Sequence, residues 1–208
     1  METQKIALFG ASSKVGQGIL NEALARGHLV TAIAADPKKI TTNHPNLKVV
    51  QGDIINSNKR DIASQLRGQD VVICAYEPKA NPKDHTNSTR AIIEGVKGED
   101  IRHFIAFGHP GSQELEPELN MPSTEDGWKA VAQAQQNTLQ ALKKEKNIRW
   151  AYAHYHEIEA PIGKSKRPAL GNEMTLVTNE GDRRFTAKDY AENTLDEIEH
   201  QMHEQSEL

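Results

Sequence analysis

The stretch Gly10-Ala11-Ser12-Ser13-Lys14-Val15-Gly16 constrains this chain more than any other. It follows Lys5 to Phe9, a run of strand character, and opens Val15 to Ala25, whose Val15, Ile19 and Ala23 share one helical stripe. Gly10 permits a tight turn directly after a strand, and Gly16, on the first helical turn, lets helix and strand approach closely. A strand, a short glycine turn and a helix in succession aim unpaired N–H groups and the positive end of the helix dipole at the turn. Such a turn suits a pyrophosphate. The alternative is a strand-to-helix connection that binds nothing, and Ser13 gives that alternative its weight. Phosphate turns of this kind place a glycine there, and a Cβ crowds the anion's approach. The hydroxyls of Ser12 and Ser13 and the Lys14 ammonium are the compensating groups.

Strand and helix patterns alternate through the first three-quarters of the chain. Leu29 to Ala34, Leu47 to Val50, Val71 to Ala75, His103 to Phe107 and Ile148 to Tyr155 predict the second to sixth strands. Asn58 to Leu66, Thr86 to Val96 and Ser123 to Lys146 predict helices between them; Gly68 ends the first, and Ser123-x-x-Asp126 caps the last. The unbroken apolar character of Val71 to Ala75 is what a parallel strand covered on both faces requires. Glu157 to Gly171, with Pro161, Gly163 and Pro168, predicts irregular chain, and Met174 to Thr178 a last strand. Thr186-x-x-Asp189 then caps a helix running toward Met202. Alternation of this kind predicts one α/β domain over residues 1–203, a parallel sheet with right-handed crossovers, and a frayed tail at 204–208.

Composition narrows the partners. With 25 Lys and Arg against 29 Asp and Glu, the chain lacks the positive excess that broad phosphate neutralisation of a nucleic acid needs. No apolar run approaches the roughly 18 residues of a membrane span, and no secretory leader pattern opens the chain. The single cysteine, Cys74, lies in an apolar run and reads as a small core residue. The expected protein is cytoplasmic, a monomer or homodimer, with no membrane or nucleic-acid partner.

Past the second strand, Asp36 offers a carboxylate to a ribose 2′-OH, which favours NAD, whereas Lys38 and Lys39 favour the 2′-phosphate of NADP. The two signals oppose each other and leave the preference open; Asp36 also reads as an ordinary turn carboxylate before Pro37. Past the third strand, Asp53 has two readings, acceptor for an adenine amino group or Asx-turn residue. Ala75 and Tyr76 close the fourth strand beside the expected cofactor. His154 and His156 share one face of a strand, but no third ligand accompanies them and no metal is expected.

Together these residues resemble the atypical short-chain dehydrogenase/reductases, specifically the NAD(P)H-binding, NmrA-like group that includes NADH-flavin reductase relatives. The likeness is carried by Ile6 to Gly16, Ala23 to Ala32, His44 to Asp53, Asp70 to Tyr76, Gly108 to Leu115 and Phe185 to Ala191. It implies a Rossmann-type doubly wound parallel sheet with helices on both faces, and NAD(P) as cofactor. Three positions depart from the group's pattern: Ser13 for glycine, Ala35 where relatives carry an arginine, and His109-Pro110 after the fifth strand.

Substrates of open α/β sheets sit beyond the carboxyl ends of the strands, which brings Tyr76 and the loop Gly108 to Ser112 near a nicotinamide. The Tyr-x-x-x-Lys pair of ordinary carbonyl reduction is missing: Tyr152 is followed at that spacing by His156, and Tyr190 by Thr194. Hydride transfer to a flavin asks less of the protein, chiefly alignment. The expectation is therefore an NAD(P)H-dependent oxidoreductase acting on flavin or another flat small molecule, with Ser112 and His109 facing substrate; His109-Pro110-Gly111 also reads as a turn that merely closes the strand. The alternative is a non-catalytic redox sensor that binds the dinucleotide and regulates a protein partner.

Overall fold

A computed structural model describes residues 2–54, 59–75, 82–101, 103–108, 133, 136–154, 165–166, 173–174, 177–178 and 186–206. Six strands, β1 (Lys5–Phe9), β2 (Leu29–Ala34), β3 (Leu47–Gln51), β4 (Val71–Cys74), β5 (His103–Gly108) and β6 (Arg149–His154), follow the expected sites within a residue or two. A two-residue strand, β8 (Glu173–Met174), completes a seven-stranded sheet in the order β3-β2-β1-β4-β5-β6-β8. Every pairing in it is parallel. The chain steps outward from β1 to β3, then returns to β4 on the other side of β1. A crevice therefore opens at the carboxyl ends of β1 and β4.

Period-2 alternation divides the strand side chains between two cores. Ile6, Leu8, Val71, Ile73, Ile105 and Phe107 pack under α1 (Lys14–Ala25) and α5 (Ala187–Ser206). Ala7, Phe9, Val72, Cys74, Phe104 and Trp150 pack under α2 (Lys59–Leu66), α3 (Pro82–Gly98) and α4, described at 133 and 136–143. Helices on both faces of a parallel sheet make this the Rossmann-type α/β architecture.

Helix ends obey local rules. α1 closes in a Schellman motif: Gly27, at φ +84°, donates its N–H to Leu24 O, and His28 N–H reaches Ala23 O. α3 begins four residues before the expected Thr86, because Pro82 suits a first helical position. α4 stops at 143 rather than at Lys146, its end tightened by bonds from Lys144 N to Ala141 O and Glu145 N to Leu142 O. The capping box of α5 forms as expected: Asp189 N donates to Thr186 Oγ1 at 3.1 Å, and Thr186 N to Asp189 Oδ2 at 2.7 Å. That helix runs on to Ser206, into the segment expected to fray.

The last quarter corrects two expectations. The chain from Glu157 to Gly171 is not wholly irregular, since β7 (Ser165–Lys166) pairs antiparallel with β9 (Val177–Thr178). The single strand expected from Met174 to Thr178 is split: β8 joins the main sheet through Tyr152 and Ala153, and β9 joins the small ribbon. No described helix is long and apolar enough to cross a membrane.

Candidate functional site

Because the strands are parallel, the segments following β1, β2, β3 and β4 leave the sheet at one end. The turn after β1 has its expected form. Gly10 lies at φ +78°, a conformation glycine adopts without penalty, and Ser13 N–H donates to Gly10 O at 2.9 Å. A Cβ on Gly16 would run into Gly10 O and stand 2.8 Å from its carbonyl carbon. Gly16 is thus the contact by which α1 closes on the turn, as its position on the first helical turn predicted.

Ser13 is the N-cap of α1, at φ −72° and ψ 162°, ordinary extended backbone that needs no glycine. Its hydroxyl accepts the Gly16 N–H at 2.9 Å and donates to the carbonyl of Ala75 at 3.1 Å. Its expected contribution to a phosphate cradle therefore comes second to a bond inside the protein. Lys14 and Val15 open the helix, where N–H groups precede any helical carbonyl partner, and Ser12 and Lys14 are exposed beside them. Donors at a helix terminus, an exposed ammonium and an exposed hydroxyl fit a pyrophosphate, and Ser13 leaves the turn unstrained.

Ala75 is fully buried and its N–H donates to Phe9 O at 3.0 Å, so β1 and β4 are zipped together up to the turn. Asp36 follows β2 and is exposed; its Oδ1 accepts Lys38 N–H at 3.1 Å, capping a single 3-10 turn, Pro37–Lys39. The turn reading of Asp36 is thus realised, with Lys38 and Lys39 exposed in the same turn. Gly52, after β3, bonds Ala34 O at 3.0 Å. A Cβ there would fall 2.6 Å from both Ile33 Cγ2 and Gln65 Nε2, a constraint the sequence does not reveal. Asp53 follows at half-burial.

Register pairs Gly108 with His154, so the chain leaves β5 and β6 side by side. Tyr76, His109, Ser112, His156 and the Ser123 cap lie outside the described residues. Tyr190, considered for the tyrosine of a Tyr-x-x-x-Lys pair, is 1% exposed and packs edge-on against Phe107, with ring centroids 6.3 Å apart. Tyr152 is likewise a core residue.

A charged cluster that belongs to no sequence motif lies where α1 ends. Arg26 Nε meets Glu22 at 2.8 Å, and its Nη1 meets Asp196 at 2.8 Å and Glu199 at 3.1 Å, joining α1 to α5. Burial works against the guanidinium charge, but the hydrogen bonds to Glu22 and Asp196 and the field of Glu199 outweigh it and hold the pKa above its ordinary value. Buried His28 accepts the Gln4 N–H on Nδ1 at 3.2 Å and turns Nε2 toward Glu199 at 3.4 Å. The cluster lies at the amino ends of the strands and serves the fold.

The fold has counterparts among known proteins. A family model described as NAD(P)H-binding matches residues 10–191. A Bacteroides thetaiotaomicron protein provisionally named an epimerase is 31% identical, with 96% of this chain and 92% of that one covered and a TM-score of 0.76. A Burkholderia pseudomallei protein provisionally called exported is 28% identical over 95% of this chain and 94% of that one, TM-score 0.74. A Streptococcus pneumoniae protein provisionally called an NADH-flavin reductase is 26% identical over 95% and 93%, TM-score 0.70.

Proposed function

This chain belongs to the NAD(P)H-binding family, and we propose that it is an NAD(P)H-dependent oxidoreductase whose acceptor is a flavin or another flat small molecule. The observation that carries the reading is the turn after β1: Gly16 pressed on Gly10, and the start of α1 offering its first N–H groups beside the β1–β4 crevice. Lys14, Val15 and Ser12 hold the pyrophosphate, with Gly10 and Gly16 keeping the backbone close. Asp36 and Lys38 meet the adenosine ribose, and Asp53 stands on the adenine side. Ala75, Tyr76, His109 and Ser112 are the residues that would serve the nicotinamide side.

When bound, the reduced nicotinamide supplies a hydride to the acceptor, which also gains a proton. The residues assigned to that end are Ser112 and His109, as hydrogen-bond or proton donors. The similarity to the S. pneumoniae protein supports the flavin acceptor. Cytoplasmic residence is part of the proposal, as is action as a monomer or homodimer; a lone thiol buried at Cys74 suits a reducing compartment.

A second reading has its own support. The chain lacks a Tyr-x-x-x-Lys pair, and Tyr190, one tyrosine considered for it, is built into the core. A regulatory protein that senses the nicotinamide pool needs the cofactor turn and no proton donor. Oxidation of NADH and NADPH by the purified protein, with and without free FMN, separates the two. The oxidoreductase reading predicts flavin-dependent turnover that slows on Ser112→Ala with His109→Ala. Saturable binding with no turnover for any flavin would leave the sensor.

A further inference from the structure

The Ser13 hydroxyl joins two segments 62 residues apart, the start of α1 and the end of β4. We infer that Ser13 is a positioning residue: through Gly16 N–H and Ala75 O it sets the phosphate turn in its binding shape before any dinucleotide arrives. This deepens the NAD(P)H-dependent reading above and rests on it.

A glycine at this position would remove a two-sided contact. Glycine supplies no side-chain cap, so the Gly16 N–H and the Ala75 carbonyl would both lose the hydrogen bond that the Ser13 hydroxyl makes to them. It also carries the largest backbone entropy of any residue, which ligand binding would have to freeze. Serine at φ −72° is already in an extended conformation, and its hydroxyl uses one lone pair and its only proton on these two groups. The bonds continue as a chain. Ala75 N–H reaches Phe9 O, Phe9 leads into Gly10, and Gly10 O receives Ser13 N–H. Turn, helix start and β4 exit are closed into one ring of hydrogen bonds. With its only proton given to Ala75, the hydroxyl is not a donor to phosphate. Phosphate recognition falls to Ser12, Lys14 and the backbone of Lys14 and Val15. Ala75 is the residue directly after β4, so the same bond couples the phosphate turn to the end of that strand.

The test compares full-length wild type, Ser13→Ala and Ser13→Thr with two probes, ADP and adenosine, by calorimetric titration. Hydrogen exchange at the Gly16 amide is followed in parallel. Losing a cap is worth about tenfold in affinity when the turn must be re-ordered by the ligand. Ser13→Ala is therefore expected to bind ADP about tenfold more weakly, to bind adenosine as wild type does, and to lose Gly16 protection. Ser13→Thr, which keeps the hydroxyl, restores both. In wild type the Gly16 amide stays protected with and without ADP, since the hydroxyl does not move to the phosphate. An unchanged ADP affinity in Ser13→Ala, an equal loss for adenosine, or deprotection of Gly16 when wild type binds ADP would each overturn the assignment. Wild type that bound neither ADP nor a reduced nicotinamide dinucleotide would instead overturn the functional reading beneath it.

Discussion

The Cα of Gly16 faces the carbonyl of Gly10 so closely that no side chain fits between them. One residue sits in the first turn of the helix and the other follows the strand, and their contact sets the distance between the helix's first N–H groups and the crevice.

Replacing Gly16 with alanine must therefore push α1 away from the turn. Overpacking against backbone costs about 1–3 kcal/mol, because a carbonyl cannot rotate aside as a side chain does. Gly16→Ala is expected to lose that much stability in urea unfolding and at least tenfold in NAD(P)H affinity. A variant that unfolds like wild type and binds like wild type would show that the contact is relaxed in solution.

Much of this was legible in the sequence because it is local. β1 and β2 have the predicted bounds and α1 starts one residue early, since continuous apolar runs, a helical stripe and Gly27 act within a few residues. The Thr186–Asp189 box is legible for the same reason. What escaped depends on distant partners. Gly18 looks incidental in α1, yet a Cβ there would lie 2.6 Å from Ala187 O, at the start of a helix encoded near the other end of the chain. Ser13 reads as an obstruction until Ala75 is seen beside it. The two-residue strands β7, β8 and β9 are too short to carry any period, so a single strand was expected where two sheets each take a piece.

Asp36 presents the opposing ribose signals in one turn, with its carboxylate on Lys38 N–H. Asp36→Asn keeps an acceptor for that N–H while removing the charge that repels a 2′-phosphate. The ratio of NADPH to NADH affinity is expected to rise by about fivefold, a Coulomb effect of about 1 kcal/mol at an exposed site. Lys38→Glu should move the ratio the other way. Equal ratios in all three proteins would place the ribose elsewhere.

Arg26 is the hub between α1 and α5, and removing it would leave Glu22, Asp196 and Glu199 facing one another without a cation. Arg26→Met keeps most of the aliphatic stem, so the loss reports on charge rather than packing. The side chain retains some solvent contact, which screens the pairs; a cost of about 1–3 kcal/mol in urea unfolding is expected. Binding of NADH or NADPH should be unchanged, because the cluster lies at the opposite end of the sheet. A large loss of affinity without loss of stability would contradict that placement.

Thr186 caps α5 with its hydroxyl and receives Asp189 in return. Thr186→Ala is expected to cost about 1 kcal/mol, and Thr186→Ser much less, as read from urea midpoints at constant slope. Equal midpoints for alanine and threonine would mean that packing of Tyr190, Leu195 and Ile198 alone fixes the helix start.

The functional reading rests on the turn from Gly10 to Gly16 holding a pyrophosphate. Side-by-side calorimetric titration of the purified protein with NADH and NADPH tests that most directly. Saturable binding of at least one, with one molecule per chain and loss of the heat on Gly16→Ala, is the predicted result. No binding of either at millimolar concentration would mean that Ser13 closes the turn to phosphate, and only the fold would remain.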